Sequence, residues 1–215
     1  HHHWAGYHAT GRCELGAGSG RTPARAAECA GVHNPQARVY VDVMELMERE
    51  RPDFVSICLW PSFHAETVCK IAPFRPKMIL CEKPMDIHWD AALRMHEVCR
   101  EHGVMLAINH QRRFNHPFTR AKALLEAGEI GALQRMEGAW RDLADTGSHV
   151  FDMMFFLNGD VPAEWVLGQI DMRDAQLIFG ALQAGGGITE LRFANGVRAV
   201  YHFGKDHEEN GCMLR

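Results

Sequence analysis

Residues 78–84 have the sequence Met-Ile-Leu-Cys-Glu-Lys-Pro, in which an apolar run ends in a charged pair and a proline. The four apolar residues are typical of a buried strand in a parallel sheet. Pro84 cannot continue that strand, because it has no backbone N–H to donate. Lys83 is therefore expected where a doubly wound sheet opens its ligand crevice.

Helices and strands alternate on both sides of this stretch. The predicted helices are residues 1–10, 22–30, 42–50, 64–71 and 89–102, and the predicted strands are 13–18, 54–59, 77–81 and 104–109. Such alternation indicates right-handed crossovers and a parallel, Rossmann-like sheet. It predicts a first domain over residues 1–110.

The pattern changes after residue 110. Helices are predicted at 117–127 and 146–157, and strands at 133–140, 165–172, 189–193 and 197–203. Asn195-Gly196 between the last two strands is a hairpin signal. Residues 111–215 are thus predicted to form an α+β domain with a mostly antiparallel sheet.

Three segments carry a family resemblance: Glu82-Lys83-Pro84, residues 107–115 (Ala-Ile-Asn-His-Gln-Arg-Arg-Phe-Asn) and residues 145–152 (Asp-Thr-Gly-Ser-His-Val-Phe-Asp). In this order and spacing the chain resembles the Gfo/Idh/MocA family of glucose-fructose oxidoreductase and inositol dehydrogenase. The resemblance implies an NAD(P)-dependent oxidoreductase acting on a sugar, cyclitol or related polyol. It also implies Lys83, Asp145 and His149 as catalytic residues, and a homo-oligomer formed through the exposed sheet face.

The chemistry of the three side chains agrees with that implication. Oxidation of a secondary alcohol needs a base that titrates near neutral pH, and imidazole is such a group. Asp145 stands four residues before His149, so on a helix the two share a face. Lys83 would stabilise negative charge on the reacting oxygen. A histidine near a helix start is also often a cap or a core residue, so both interpretations of His149 stay open.

A glycine-rich phosphate turn is expected before the first helix of a dinucleotide domain. Gly16, Gly18 and Gly20 have the wrong spacing, and the family register places them at the end of the second strand. The turn would then lie upstream of His1. Ser19 and Arg21 stand where an NAD enzyme has an acidic residue, which favours NADP over NAD, since guanidinium pairs with a 2′-phosphate. Arg21 as a solvated loop residue is the alternative.

Further cofactor contacts are predicted around these strand ends. Pro61 and His64 match the family loop that lies along the cofactor. Glu82 and Lys83 are also predicted to contact the cofactor. Trp60 either stacks near the nicotinamide or caps the sheet. Of Arg112 and Arg113, one is expected to face a phosphate or a substrate oxyanion and the other to form a surface salt bridge; Arg112 is assigned to the cofactor.

Composition excludes several classes. The net charge of −4 gives no basic footprint for nucleic acid. No apolar run approaches the roughly 18 residues of a membrane span. The seven cysteines lack metal or disulfide spacing, and the fourteen histidines lack zinc spacing, so we expect a cytoplasmic protein without a metal. His1, His2 and His3 are either a tag or part of the first helix.

Two further hypotheses accompany the enzyme. One is a non-catalytic nucleotide-binding sensor on the same fold, and the other, weaker one is a metal-binding protein built on the histidines. Residues 211–215 are predicted to begin a strand with no partner after it, so both ends are expected to be truncated. We expect such a segment alone to have little activity.

Overall fold

The computed structural model describes residues 2–20, 22–207 and 212–214. The chain divides into two compact units, the first comprising the residues up to Leu59 with Phe63–Ile108, and the second Trp60–Ser62 with the residues from Asn109 onward. The domain boundary after residue 110 stays a prediction. Within the described part of the chain, no helix combines the length and the apolarity that crossing a membrane requires.

The first unit is built from alternating helices and parallel strands, as predicted. Its helices are α1 (His2–Thr10), α2 (Pro23–His33), α3 (Val43–Glu50), α4 (His64–Ile71) and α5 (Trp89–His102), and its strands are β1 (Ala17–Ser19), β2 (Arg38–Tyr40), β3 (Phe54–Ile57), β4 (Met78–Cys81) and β5 (Met105–Ile108). The strands form two parallel arrangements, β1-β2 and β3-β4-β5. This is the parallel α/β fold expected from the sequence.

The element bounds follow from local chemistry. Asp42 precedes α3, and its side chain accepts a hydrogen bond from the backbone N–H of Met44, which is the usual N-cap arrangement. Gly103 ends α5 in the left-handed region at φ 69°, a conformation that glycine adopts without strain. In β4, Ile79 and Cys81 are fully buried, so this strand lies in the core of the unit. Burial raises the pKa of the Cys81 thiol to about 12, so it stays protonated and inert.

The second unit places helices on a mixed sheet. Its helices are α6 (His116–Glu126) and α7 (Asp145–Leu157), and its strands are β6 (Arg135–Trp140), β7 (Ala163–Asp171), β8 (Gln176–Ile178), β9 (Ala181–Gln183), β10 (Gly186–Phe193), β11 (Arg198–Gly204) and β12 (Cys212–Leu214). The main sheet has the order β12-β6-β11-β10-β7, and of its described pairs only β11 with β6 is parallel. A mostly antiparallel sheet was predicted and is confirmed.

Two features were not predicted from the sequence, the strand β2 and the small β8-β9 hairpin. The strand predicted near the carboxyl end is β12, and it pairs antiparallel with β6, which precedes it in the chain. In β11, Ala199, Tyr201 and Phe203 are buried in the core of this unit.

Candidate active site

The Lys83 segment follows β4 directly and is held by bonds within the first unit. The backbone N–H of Glu82 donates to the Ile57 carbonyl at 3.0 Å, and the backbone N–H of Lys83 donates to the Glu82 carboxylate at 3.1 Å. The Lys83–Pro84 peptide bond is cis. Lys83 is half-buried, and because β4 ends at Cys81 it stands at the carboxyl edge of the parallel sheet, as the sequence predicts.

His64 is fully buried, and its ring contacts the backbone of this segment. Its Nδ1 lies 3.0 Å from the Pro84 carbonyl oxygen and 3.2 Å from that of Met85, and its Nε2 lies 3.1 Å from the Leu59 carbonyl oxygen. One imidazole therefore joins the end of β3 to the residues that follow Lys83. The cofactor contact assigned to His64 stays a prediction.

Glu82 and His3 form the main polar link between α1 and the strand ends. His3 Nε2 lies 2.6 Å from Glu82 Oε1, and His3 Nδ1 lies 2.6 Å from Ser56 Oγ. Hydrogen bonding to Cys58 and to Glu82 raises the pKa of His3 to about 9, although burial opposes the charge. His3 is thus an integral contact of this unit, and Glu82 is engaged by the protein itself.

This link predicts a pH-dependent stability. The folded-state pKa of His3, about 9, exceeds the ordinary value of 6.5, so its contribution is complete below pH 6.5 and is lost as the pH rises through about 9. Urea unfolding from pH 6 to pH 10 should show this fall in the free energy of unfolding, and His3→Gln should flatten it. His8→Gln, an exposed position on the same helix, is the control; an unchanged profile in His3→Gln would contradict the prediction.

The other predicted cofactor residues fall in different surroundings. Ser19 is exposed at the carboxyl end of β1, and because residues 17–19 form a strand paired with β2, they are not a phosphate turn. Arg21 lies outside the described residues. Trp60 is half-exposed and packs edge-on against Phe179 with ring centroids 6.3 Å apart, and Pro61 is buried at the start of a 3₁₀ turn.

The helix α7 begins on Asp145, one residue earlier than predicted. The buried Asp142 side chain caps it, since Asp142 Oδ1 accepts from the backbone N–H groups of Asp145 at 2.6 Å and Thr146 at 2.9 Å. The Tyr201 hydroxyl donates to the Asp142 carbonyl at 2.6 Å. Asp142 therefore fixes the turn that carries Asp145, a role that the sequence reasoning missed.

Gly147 lets this helix start lie close to the sheet. A Cβ at this position would stand 2.9 Å from the Asp142 carbonyl oxygen and 3.0 Å from Tyr201 Cε1. Both atoms belong to buried groups, so a larger residue would push the first turn of α7 away. The glycine in Asp-Thr-Gly-Ser-His is thus explained by packing.

His149 lies one turn after Asp145 on α7 and is 6% exposed. Its ring meets the His110 ring edge to face, with centroids 5.9 Å apart and an interplanar angle of 89°. His110 Nδ1 in turn lies 3.9 Å from Asp152 Oδ2. The sequence reasoning missed His110, because its nearness to α7 depends on contacts between residues distant in the chain.

Arg113 forms salt bridges with two carboxylates, one of which, Asp152, also lies near His110. Its Nε donates to Asp152 Oδ1 at 2.8 Å, while Nη1 and Nη2 donate to Asp160 at 3.2 and 2.8 Å. Burial lowers the pKa of Arg113, but the hydrogen bonds to Asp160 and Asp152 outweigh it and raise the pKa overall. Of the two adjacent arginines, Arg113 is therefore the one that forms salt bridges.

Comparison with known proteins identifies the family. Residues 1–110 match the family model described as "Oxidoreductase family, NAD-binding Rossmann fold" of Gfo/Idh/MocA proteins. The chain belongs to the Gfo/Idh/MocA oxidoreductase family. The matching model describes an NAD-binding Rossmann fold, which agrees with the parallel strands of the first unit.

Individual Gfo/Idh/MocA relatives have low sequence identity to this chain. An uncharacterized oxidoreductase of Schizosaccharomyces pombe is 30% identical over 144 residues, covering 58% of this chain and 39% of the relative. Myo-inositol 2-dehydrogenase of Thermotoga maritima is 27% identical over 201 residues, covering 83% and 60%. The chain thus spans only 39% to 50% of the first curated relatives that it matches.

Solved structures agree on the fold. The WlbA dehydrogenase from Bordetella pertussis, solved with NADH and UDP-GlcNAcA, superposes with a TM-score of 0.84 at 20% identity, covering 99% of this chain and 72% of that chain. At this identity the likeness supports the arrangement of helices and strands alone.

Proposed function

We propose that this protein is an NAD(P)-dependent oxidoreductase that transfers a hydride between a nicotinamide cofactor and a secondary alcohol of a sugar, cyclitol or related polyol. The observation that carries the proposal is the first two turns of α7, where Asp145 and His149 stand one turn apart on a helix start fixed by Asp142. Relatives named inositol 2-dehydrogenase support the choice of a polyol.

The residues of the first unit fit a dinucleotide. Ser19 follows β1 and Lys83 follows β4, both at carboxyl ends of parallel strands, where open α/β sheets bind nucleotides. A bound nicotinamide would supply the hydride acceptor. Trp60, Pro61, His64 and Glu82 remain proposed cofactor contacts, and the absence of an acidic residue at positions 19–21 favours NADP.

The protein's own side chains would handle the proton. We assign His149 as the base that takes the hydroxyl proton, because an imidazole can accept a proton near neutral pH. Asp145 would orient that ring or bind a neighbouring substrate hydroxyl. Lys83 would donate a hydrogen bond to the reacting oxygen and stabilise the negative charge that develops there.

A homo-oligomer in the cytoplasm is part of the same proposal. The edge strand β7 leaves Trp165 and Leu167 exposed on one face of the sheet and Val166 and Ile170 exposed on the other. A second copy would cover the face that carries Trp165 and Leu167.

The direct test is an assay of the purified full-length protein with NAD⁺ or NADP⁺ and a panel of sugars and cyclitols, in which the absorbance of the reduced nicotinamide is recorded. We expect polyol-dependent reduction, faster with NADP⁺. Nucleotide binding without turnover of any polyol would reject the enzyme and favour a sensor. Faster reduction of NAD⁺ would reject the cofactor preference alone.

A further inference from the structure

Arg112 and its neighbour Arg113 have opposite surroundings. Arg113 pairs with Asp152 and Asp160, as described above. Among the residues that the structure describes, Arg112 forms no salt bridge with a carboxylate. Its guanidinium instead lies over the Trp140 ring, 4.5 Å from the centroid.

This arrangement leaves the hydrogen-bond donors of Arg112 available to a ligand. The side chain is half-buried, and desolvation lowers its pKa, so the charge is partly removed from water without a compensating anion. Stacking on an aromatic ring holds the guanidinium plane in one orientation. A planar guanidinium held in this way is suited to bidentate binding of a carboxylate.

Arg112 also lies beside the proposed reaction residues of its own unit. Its 3₁₀ turn, Gln111–Phe114, contacts α7, and Trp140, which its guanidinium covers, stands two residues before Asp142. Two residues before Arg112, His110 packs its ring against His149. The Arg112 guanidinium therefore lies near the first turns of α7.

We propose that Arg112 binds a carboxylate on the substrate, so that the preferred substrate is an acidic sugar or cyclitol. The inference rests on the proposed function and specifies its substrate class. A cofactor phosphate would offer similar anion chemistry. The substrate is favoured because Arg112 belongs to the second unit, with Asp145 and His149, and lies beyond residues 1–110 that match the NAD-binding family model.

The test measures binding of two matched probe pairs by isothermal titration calorimetry: D-glucuronate against D-glucose, and D-galacturonate against D-galactose. In at least one pair the acid should bind more tightly than the neutral sugar. Arg112→Gln should weaken binding of that acid by about tenfold or more, the usual range for a lost charge-assisted hydrogen bond, and leave the neutral sugar unchanged. Arg112→Lys, which keeps the charge without the planar fork, should show an intermediate loss.

Arg135→Gln is the matched control, since Arg135 is an exposed arginine at the opposite end of the strand that ends in Trp140, and it should bind the acid like the unaltered protein. Equal affinity for acid and neutral sugar in both pairs would overturn the inference. So would an Arg112→Gln variant that loses NADPH or NADH affinity but keeps the acid, which would assign the residue to the cofactor. Because no turnover is needed, selective acid binding by a protein that reduces no nicotinamide would reject the proposed enzyme while preserving the Arg112 site.

Discussion

Replacing His149 with alanine is expected to lower kcat for polyol oxidation by about a hundredfold to ten-thousandfold, the usual contribution of a general base. Lys83→Met should cause a loss of similar size, because it removes the cation proposed to stabilise the reacting oxygen. Neither change removes a residue of the hydrophobic core. We therefore expect cofactor affinity to change far less than turnover in His149→Ala. Steady-state kinetics with a separate nucleotide titration would measure both quantities.

Matched controls separate chemistry from general damage. His96→Ala and Lys70→Met alter exposed residues on α5 and α4, and both variants should keep the kinetics of the unaltered protein. Circular dichroism and thermal melting should show that all four variants are folded. Undiminished turnover in either folded site variant would rule out the role assigned to that residue.

Replacing Arg113 with methionine is expected to lower the free energy of unfolding by about 3 kcal/mol, the lower end of the usual range for a buried ion pair, because it leaves a buried carboxylate without its arginine. The carboxylate is Asp152, whose side chain is 10% exposed, and its distance of 3.9 Å from His110 is too long for a hydrogen bond. Urea unfolding would measure the change. The aromatic contact of Arg113 with Phe156 is kept in part by the methionine side chain.

Asp160→Asn provides the comparison for Arg113. It removes the other carboxylate that Arg113 contacts, but this one is 53% exposed, so its loss should cost no more than about 1 kcal/mol. Together the two variants test which salt bridge of Arg113, that with buried Asp152 or that with exposed Asp160, contributes more to the free energy of unfolding. Equal losses in the two variants would show that burial of Asp152 has no special weight.

Much of the fold could be predicted from the sequence, since strong apolar runs and helix signals mark most elements. The apolar residues before Lys83 predicted a buried strand that Pro84 cannot continue, and β4 is that strand. The strand β2 was missed because Arg38-Val39-Tyr40 has only one purely apolar residue, and its pairing with β1 depends on tertiary contacts. A three-residue strand carries too little periodicity to be recognised.

The candidate site was only partly predictable. A motif indicates which residue types recur, and it placed Asp145 and His149 on one helix. It could not indicate that the Tyr201 hydroxyl bonds to the Asp142 carbonyl, or that His110 lies against His149. Such contacts join residues far apart in the chain, and single-sequence patterns contain no information about them. The salt bridges of Arg113 with Asp152 and Asp160 likewise join residues far apart in the chain.

The three carbonyl contacts of the buried His64 ring affect how mutational data should be interpreted. An alanine at this position would release the backbone that directly follows the proposed catalytic lysine, and the expected symptom is a misplaced ammonium group. Lower activity in such a variant would therefore report on scaffolding. Addition of free imidazole to the variant would be an informative companion measurement, since a small molecule that refills the cavity could restore the loop without touching the nucleotide.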